Sequence, residues 1–502
     1  MIDLFIEEFS FFFELTIEHL SICMTAILFA TLIGGLLGII LHEFKRFSNI
    51  ILGIISILYT IPAISLLGFL IPFSGIGNTT AIIALSIYAL LPMVRNTFVG
   101  LNSVDYNLVE AGNAMGSTKM QLLYKIKIPL ALPVIFSGFK NMVVMTIALG
   151  GIASFIGAGG LGVAIYRGIT TNNSNMTIIG SVLIAFLALF FDLILSMISK
   201  IKFRKINKKL LISITTLILL VSCIPLISLK TYDINIASKP MTEQYILTEM
   251  LKLVIEEETD LKVKLTQGVG GGTSNIHPAM LSGDFDIYPE YTGTAWNAVL
   301  NEESFYTEEL FNDLSNQYKE NFNFEFIGMY GFNNTYGIAV RKEVAELYSL
   351  KTYSDLAYVS NNLIFGAEYD FFGRLDGYEE LCNSYNMNFK STKDMDIGLK
   401  YQAINNKDID VMNIFTTDGL LSVSDIIVLE DDLNLYPSYK CINIINSNTL
   451  LKYPQLSIVL NKFENLISDE DISNLNYKVE YLNELPASVA YNFLVERGVI
   501  HG

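Results

Sequence analysis

The chain has 502 residues, of which 51% are apolar and 17% are charged, with a formal net charge of −17. This length predicts two or three domains, and the apolar share predicts membrane segments. Residues 1–233 carry 15 Lys and Arg against 10 Asp and Glu, whereas residues 234–502 carry 18 against 40. Because the acidic second part contains no basic run, nucleic acid is excluded as a partner.

The first part contains apolar stretches long enough to cross a bilayer, which takes about 20 residues. Six such stretches are predicted, near 15–41, 49–71, 79–100, 130–156, 177–199 and 210–229. Basic residues follow the first, third and fifth stretches, and short cytoplasmic loops collect Lys and Arg. This pattern predicts five spans within residues 1–209, a sixth span and tether at 210–230, and an extracytoplasmic location for residues 231–502.

Two features between these spans have a packing interpretation. Lys140 and Asp192 fall at similar depths in neighbouring spans, so we expect a structural ion pair rather than a proton relay. The run 157–162 matches a dinucleotide fingerprint in its glycines, but it lies between two spans and lacks the strand that such a site needs. Its small residues instead predict close helix contacts.

The loop after the third stretch, residues 105–129, contains a spaced motif, namely Glu110, Ala111, Gly112, Gly116, Ile126 and Pro129. The spacing resembles the EAA signature of ABC importer permeases, although Gly112 and Ile128 stand where the signature has Ala and Leu. The resemblance implies a cytoplasmic helix that turns at Gly116 and docks on a separate ATPase subunit. It also implies a permease homodimer in the lipid of the plasma membrane. An ordinary loop helix ending at a proline is the alternative.

The second part alternates short apolar strands with helices, which predicts sheets covered by helices on both faces. Strands are predicted at 234–237, 263–266, 286–288, 337–340, 363–366, 410–414 and 426–428, with an amphipathic helix at 241–258. A domain of this length predicts two lobes, one at about 234–336 and 446–502 and the other at about 337–445. Ligands of such folds bind at the carboxyl ends of strands.

Aromatic residues are concentrated at these strand ends, in the runs 288–294, 332–336, 371–374, 415–419 and 436–439. An aromatic face attracts a quaternary ammonium, with about 2 kcal/mol per desolvated ring. Four Cys and four His show no metal-ligand spacing, and no nucleophile and base are paired in the exterior part. We therefore expect a binding domain without metal or cofactor rather than an enzyme.

The runs 238–244, 288–294, 332–336, 371–378 and 416–419 resemble the OpuC class of substrate-binding domains, which capture glycine betaine, choline and carnitine. The longer runs 268–275, 288–296 and 367–378 are more similar still to the fused permease and binding proteins of ergothioneine importers, the EgtU type. The resemblance covers the whole chain. It implies an α-helical transmembrane permease domain followed by an extracytoplasmic two-lobed α/β domain of the type II periplasmic-binding-protein kind.

By motif position, the resemblance implies an aromatic cage of four residues, Tyr291, Tyr336, Phe415 and Tyr439. Phe415 replaces the usual Tyr, which keeps the ring face and loses a hydroxyl. The implied polar ligand contacts are Met241, Thr242, Thr294, Asn334, Arg374 and Asp418. The first three and Arg374 would hold a carboxylate, while Asn334 and Asp418 would contact a thione-imidazole ring. For single polar residues, turn-building is the alternative, and Arg374 is also a candidate partner of Asp376.

The function expected from the sequence is ATP-driven import of a trimethylammonium or betaine-type solute. Ergothioneine is the leading candidate, and glycine betaine, carnitine or choline is the alternative. A proton-coupled transporter would leave the cytoplasmic motif unexplained, and a receptor without transport would not need six spans.

Overall fold

The computed structural model describes residues 1–200 and 232–501, apart from Leu375 and Pro437. These residues form two compact units. Residues 1–166 and 175–200 belong to the first, and residues 167–174 and 232–501 belong to the second. The predicted sixth span at 210–229 lies outside the described residues.

The first unit consists of helices. Their bounds are Ile2–Glu7, Phe9–Glu43, Lys45–Thr60, Ala63–Ser74, Asn78–Asn102, Tyr106–Ala114, Lys119–Leu122, Ile128–Leu149 and Ser174–Lys200, with Gly162–Thr170 running into the second unit. A π-helical turn, Leu123–Lys127, and a 3-10 turn, Gly150–Ile156, lie before and after Ile128–Leu149. Among the described residues, four helical segments are long and apolar enough to cross a membrane.

The predicted span at 49–71 corresponds to a bent pair of helices in the structure. The structure contains two helices there, Lys45–Thr60 and Ala63–Ser74, which are bent by 100°. Ile61 between them has an extended backbone, because a residue before proline is disfavoured in the helical region. Pro62 then begins the next helix without losing a needed N–H group. Counted as one broken span, this pair gives five candidate spans in the described residues, as the sequence predicts.

Close packing around the glycine-rich run is confirmed. The Glu18 carboxylate accepts from the backbone N–H of Gly160 at 3.2 Å and from Asn78 Nδ2 at 3.3 Å. A Cβ atom on Gly162 would lie 2.0 Å from the Gly151 carbonyl oxygen, a backbone atom, so a side chain does not fit there without a backbone shift. The predicted pair of Lys140 and Asp192 is also present, with 3.0 Å between Nζ and Oδ1.

The described residues of the second unit form ten strands. They are β1 Ile234–Ala237, β2 Val263–Thr266, β3 Ile287–Tyr291, β4 Phe324–Ile327, β5 Tyr336–Arg341, β6 Ile364–Glu368, β7 Ser391–Met395, β8 Val411–Phe415, β9 Ile426–Val428 and β10 Cys441–Asn446. The α-helices are Thr242–Glu258, Thr273–Ser282, Thr292–Thr294, Phe311–Phe322, Lys342–Tyr348, Tyr353–Ala357, Tyr369–Gly373, Tyr378–Tyr385, Lys400–Asn405, Ser447–Lys452, Gln455–Asn461, Asp469–Glu480 and Pro486–Glu496.

The strands form two five-stranded sheets with the same plan. Their orders are β2-β1-β3-β10-β4 and β7-β6-β8-β5-β9. In each sheet, four strands run in the same direction and the fourth in the order is antiparallel to both of its neighbours. Each sheet has a core of its own, one including Ile236 and Ile445 and the other Ile338 and Phe365. The exterior part is therefore a two-lobed α/β domain, as predicted.

The predicted lobe boundary at 445/446 is wrong. β10 pairs with β3 and β4, so Cys441–Asn446 belongs to the sheet of the first lobe. Tyr336, which we had expected at the end of the first lobe, begins β5 in the second sheet. The lobes are joined by segments 328–335 and 429–440, which contact each other through an antiparallel bridge between Asn333 and Lys440.

Candidate functional site in the binding domain

Three of the four predicted cage residues form a contiguous group of rings. Tyr336 begins β5 and lies directly opposite Phe415, the last residue of β8. Their ring centroids are 5.2 Å apart, and the Tyr336 ring meets the Tyr439 ring edge-on at 5.8 Å. Such spacings are typical of favourable aromatic pairs. We call Tyr336, Phe415 and Tyr439 the ring cluster.

Tyr439 reaches the ring cluster from the segment that joins the lobes. Its backbone N–H donates to Asn333 Oδ1 at 2.6 Å, and its carbonyl accepts from the N–H of Asn334 at 3.2 Å. A Cβ atom on Gly293 would lie 2.4 Å from Tyr439 Cε1. The absence of a side chain at Gly293, within the 288–294 motif, therefore leaves the space that the Tyr439 ring occupies.

Tyr291, the fourth predicted cage residue, has different contacts. It is the last residue of β3, and its hydroxyl donates to the Glu243 carboxylate and accepts from Gln244 Nε2 at 3.2 Å. Lys239 Nζ lies 4.7 Å from the centre of its ring. Tyr291 is thus held against the start of helix Thr242–Glu258.

Each of three candidate cage rings is contacted by a cationic side chain that has its own carboxylate. Lys400 Nζ lies 4.8 Å from the Phe415 ring centre and 3.0 Å from Glu368 Oε2. The Arg374 guanidinium lies 5.6 Å from the Tyr336 ring centre and pairs with Asp376, and Lys239 pairs with Glu290. One face of each of these rings therefore already makes a cation–π contact, with a cation whose charge is balanced by its own carboxylate.

Arg374 joins two of the predicted polar contacts. Its Nε and Nη2 atoms each donate to Asp376 at 2.6 Å, and its Nη1 atom donates to Thr294 Oγ1 at 3.4 Å. Tyr439 also donates to Asp376. Burial alone would raise the pKa of Asp376, but the hydrogen bonds and charge of Arg374 outweigh burial and lower it. The alternative partner Asp376 is therefore present, and Thr294 and Arg374 are brought together across the lobes.

A cavity lies beside Phe415 and is bordered by the other predicted polar residues, Met241, Thr242, Asn334 and Asp418. Glu243, Glu480, Thr417, Asn476 and Lys400 also line it. We call it the acidic cavity because Glu243, Asp418 and Glu480 all border it. Helix Thr242–Glu258 begins here, but Glu243 in its first turn already complements the helix dipole. A ligand carboxylate at Met241 and Thr242 would therefore compete with Glu243 for the start of this helix.

Burial and mutual repulsion disfavour the charged forms of these carboxyl groups. Burial, and then the charge of Asp418, raise the pKa of Glu480 to about 8. Burial also raises the pKa of Glu243, opposed by hydrogen bonds from Tyr291 and Asn334, and it raises the pKa of Asp418, opposed by Lys400. The acidic cavity is accordingly rich in carboxyl and amide oxygens, with the buried Thr242 hydroxyl and Lys400 as polar groups of the opposite kind.

The coupling loop, residues 105–129, folds as two short helices around a tight turn. Tyr106–Ala114 begins at Asp105, which caps it, and Lys119–Leu122 begins at Thr118 with a capping box. Gly116 between them has φ +78°, which a residue with a side chain adopts at a cost. Gly112 is buried where a Cβ atom would lie 2.6 Å from Ile126 Cδ1. Gly112, Gly116 and Ile126 are thus explained by packing and backbone geometry.

The remaining motif residues and their neighbours lie at the surface. Glu110, Ala111 and Pro129 are exposed, and so are large apolar side chains, Tyr106, Leu108, Met115, Met120 and Tyr124. Lys127 at the end of the loop contacts the first long helix, where its Nζ atom lies 2.9 Å from His42 Nε2. An exposed apolar group on a loop is typical of a protein-interaction surface.

Two family models match the chain, each to one of its two parts. Residues 30–208 match the inner membrane component of binding-protein-dependent transport systems. Residues 232–496 match the substrate-binding domain of the ABC-type glycine betaine transport system. The chain belongs to the family of ABC transporter permeases fused to a glycine betaine-type substrate-binding domain. It is accordingly a multi-pass membrane transport protein with an extracytoplasmic binding domain, and not an enzyme.

Named relatives cover either the whole fusion or one part of it. The chain is 36% identical to an ergothioneine transport permease/ergothioneine binding protein, EgtU, of Helicobacter pylori, over 93% of this chain and 87% of the relative. It is 34% identical to the carnitine transport binding protein OpuCC of Listeria monocytogenes, over 54% of this chain and 88% of the relative. It is 39% identical to a Listeria carnitine transport permease, OpuCB, over 38% of this chain and 85% of the relative.

Several side chains of this fused permease's cleft are absent from the sequence-based predictions. Glu243 lies inside the 238–244 motif, so its carboxylate could have been noticed beside Thr242. Asn476 and Glu480 are four residues apart on helix Asp469–Glu480 and so share a face, a weak signal for a polar site. Lys400 is fully buried within an otherwise apolar stretch, which could have marked it as paired.

Proposed function

We propose that this fused permease captures ergothioneine outside the cell and passes it inward, with ATP hydrolysed by a separate subunit. The observation that carries the proposal is the ring cluster next to Arg374 and Thr294. Aromatic faces attract a trimethylammonium group, and a guanidinium with a hydroxyl suits a carboxylate. Betaines carry both groups on one small molecule, and ergothioneine is a betaine with an added thione-imidazole ring.

Capture is proposed to close the two lobes about segments 328–335 and 429–440. The ring cluster takes Tyr439 from the second of these segments, and Tyr336 and Phe415 from the second lobe. Arg374 and Thr294 lie on different lobes and are already within hydrogen-bonding distance. A ligand shared by both lobes favours the closed form in proportion to its differential affinity for the two forms. The closed domain would then deliver the ligand to a permease homodimer.

The coupling loop is proposed as the contact with the ATPase subunit. Its exposed apolar side chains, among them Met115 at 86% exposure, suit burial against a partner protein. The turn at Gly116 sets the angle between its two helices. The contact of Lys127 with His42 joins the loop to the first long helix. A movement of the loop would therefore be transmitted to this helix.

Calorimetry on the full-length protein in lipid nanodiscs tests the choice of ligand. Ergothioneine, glycine betaine, carnitine and choline are titrated in parallel, with proline as a ligand without a quaternary nitrogen. Ergothioneine is expected to bind at least tenfold tighter than the three other cations. Equal or reversed affinities would support osmoprotectant uptake, which the carnitine-binding relative also favours. A protein that binds no trimethylated cation would refute both functions.

A further inference from the structure

The acidic cavity contains three buried acceptor atoms that accept no hydrogen bond of normal geometry from the described residues. Glu243 is 3% exposed, Asn334 is 6% exposed and Asn476 is 3% exposed. In each, one oxygen is unpartnered, namely Glu243 Oε2, Asn334 Oδ1 and Asn476 Oδ1. All three residues border the cavity beside Phe415. A buried acceptor left without a donor costs about 1–3 kcal/mol, so three in one cavity need an explanation.

The orientation of these groups follows from their other contacts. Asn334 Nδ2 donates to Glu243 Oε1 at 3.0 Å, and Asn476 Nδ2 donates to the Thr417 carbonyl at 2.8 Å. Since both partners are acceptors, the amide nitrogens must face them and the amide oxygens must face away. Glu243 Oε1 is occupied by Tyr291 and Asn334, which leaves Oε2. The Thr417 hydroxyl is near enough to oppose the rise in the pKa of Glu243.

We propose that Glu243, with the amide oxygens of Asn334 and Asn476, forms a subsite that accepts hydrogen bonds from a ligand ring with two N–H groups. The proposal rests on the proposed function and adds a determinant of specificity to it. The thione tautomer of an imidazole-2-thione has two ring N–H donors, whereas glycine betaine has none. A site built around hydrogen-bonding groups rejects a ligand that leaves them unpaired more strongly than an apolar pocket could.

The subsite also fits the ring cluster next to it. Phe415 belongs to the ring cluster and borders the acidic cavity, so one small molecule can contact both. A trimethylammonium group has no N–H to donate, so it needs only the ring faces of the ring cluster and no hydrogen-bond acceptor. The subsite offers acceptors and would gain little from a methylated nitrogen. Discrimination between ergothioneine and simple betaines is therefore assigned to Glu243, Asn334 and Asn476.

The test uses full-length protein in nanodiscs at pH 8, with three ligands of the same betaine skeleton. Ergothioneine has two ring N–H donors, whereas S-methylergothioneine and hercynine each have one when the ring is neutral. The first of these two probes is larger than ergothioneine and the second is smaller. Both are expected to bind the wild type at least tenfold more weakly than ergothioneine. If the wild type binds all three within threefold, the proposal is overturned.

Glu243→Gln is the decisive variant, because it keeps the volume and one acceptor oxygen for Tyr291 and Asn334. It replaces Oε2 by an NH₂ group, which opposes a ring N–H and suits an unprotonated ring nitrogen. The preference for ergothioneine over hercynine is expected to shrink to less than threefold or to reverse. Glu346→Gln, at an exposed carboxylate of the other lobe, is the matched control.

The outcomes separate this proposal from the proposed function. A wild type that ignores all trimethylated cations refutes the function. A wild type that binds ergothioneine, together with a Glu243→Gln variant that keeps the original preference within twofold, refutes only the subsite. If Glu243→Gln loses glycine betaine binding as well, the substitution has disturbed the Tyr291 contact or the fold. The comparison of the three ligands on the wild type then decides.

Discussion

The cleft of the binding domain and the coupling loop of the permease differ in whether their side chains have partners within the chain. In the cleft, the three cations that contact candidate cage rings are each paired with a buried or half-buried carboxylate. In the coupling loop, apolar side chains such as Met115 and Met120 are exposed to solvent. The cleft is organised within the chain, whereas the loop leaves a surface that another protein would cover.

This difference separates two kinds of specificity. A small ligand is recognised by groups that are held in place before it arrives, and preorganisation limits the entropy lost on binding. A protein partner is recognised by a surface whose apolar area is buried only in the complex. Substitutions in the cleft should therefore change ligand capture. Substitutions in the coupling loop should change uptake while capture is retained.

Removal of the Tyr336 ring is the largest expected effect. Tyr336 contacts both Phe415 and Tyr439, so Tyr336→Ala takes out the member that joins the ring cluster. The loss of one desolvated cation–π contact of about 2 kcal/mol corresponds to about 30-fold in affinity, and loss of the neighbouring packing adds to it. Binding of ergothioneine and of glycine betaine should fall together, as measured by calorimetry on the full-length protein.

Tyr358→Ala is the matched control for this prediction. Tyr358 lies in the same lobe, and its side chain is exposed away from the ring cluster. Its removal should leave both affinities within twofold. Normal binding by Tyr336→Ala would show that the rings pack the lobes together without holding the ligand. The claim that the cleft captures the ligand through the ring cluster would then be refuted.

A substitution at Gly116 tests whether the coupling loop affects uptake without affecting ligand capture. Gly116 has φ +78°, and its position has open space around it. A tryptophan there would strain the backbone by about 1–2 kcal/mol and add bulk to the proposed ATPase contact. Gly116→Trp should lower ATP-dependent ergothioneine uptake by about tenfold, measured in proteoliposomes with the ATPase subunit. Ligand affinity should remain within twofold of the wild type.

Gly116→Asn provides the control, because asparagine tolerates a left-handed backbone better than other side chains. Uptake by this variant should stay within about twofold. If Gly116→Trp transports normally, the coupling loop is an ordinary surface turn. If it loses ligand binding as well, the separation between capture and coupling fails.

Much of the fold could be predicted from local patterns. Three strands, β1, β2 and β9, have the predicted bounds because short apolar runs bounded by polar turns define them. β7 could not be found this way, since its Ser391–Met395 side chains are largely exposed and only backbone pairing with β6 makes it a strand. β10 was assigned to the wrong lobe because its partners are set by topology rather than by its own residues.

In the candidate site, too, some contacts follow from local sequence patterns and others only from tertiary packing. Tyr336 and Phe415 meet because strand ends converge, a rule that applies without knowledge of the tertiary structure. The meeting of Glu243 with Asn476 and Glu480 around one cavity depends on how two helices more than 200 residues apart pack. No local pattern encodes that contact. Local patterns therefore indicated residues at strand ends and at the start of helix Thr242–Glu258, and missed Glu243, Asn476 and Glu480, which helix packing brings beside them.

The smallest expected effect concerns stability away from the cleft. His277 is buried among aromatic rings, with Phe322 at 4.6 Å, Phe324 at 5.5 Å and Tyr318 at 5.7 Å between centroids. Burial lowers the pKa of His277 from 6.5 to about 4, against an opposing effect of Glu290. Below pH 6.5, His277 binds a proton in the unfolded chain but stays neutral in the folded chain. Stability is therefore lost as the pH falls from 6.5 towards 4, by about 3 kcal/mol in full.

His277→Phe should remove this part of the acid sensitivity, because phenylalanine fills the aromatic site without titrating. The Tyr288 hydroxyl, which lies 3.3 Å from His277 Nδ1, keeps its interaction with Tyr318. The buried carboxyl groups of the acidic cavity titrate in both proteins, so the difference between the two pH profiles isolates the histidine.

Thermal unfolding followed from pH 7.5 to 4.5 should show His277→Phe losing less stability than the wild type. The exposed His501→Gln variant should match the wild type. Ergothioneine affinity at pH 7.5 should be unchanged in all three, since His277 does not border the acidic cavity. A variant profile parallel to the wild type would mean that His277 is protonated in the folded domain.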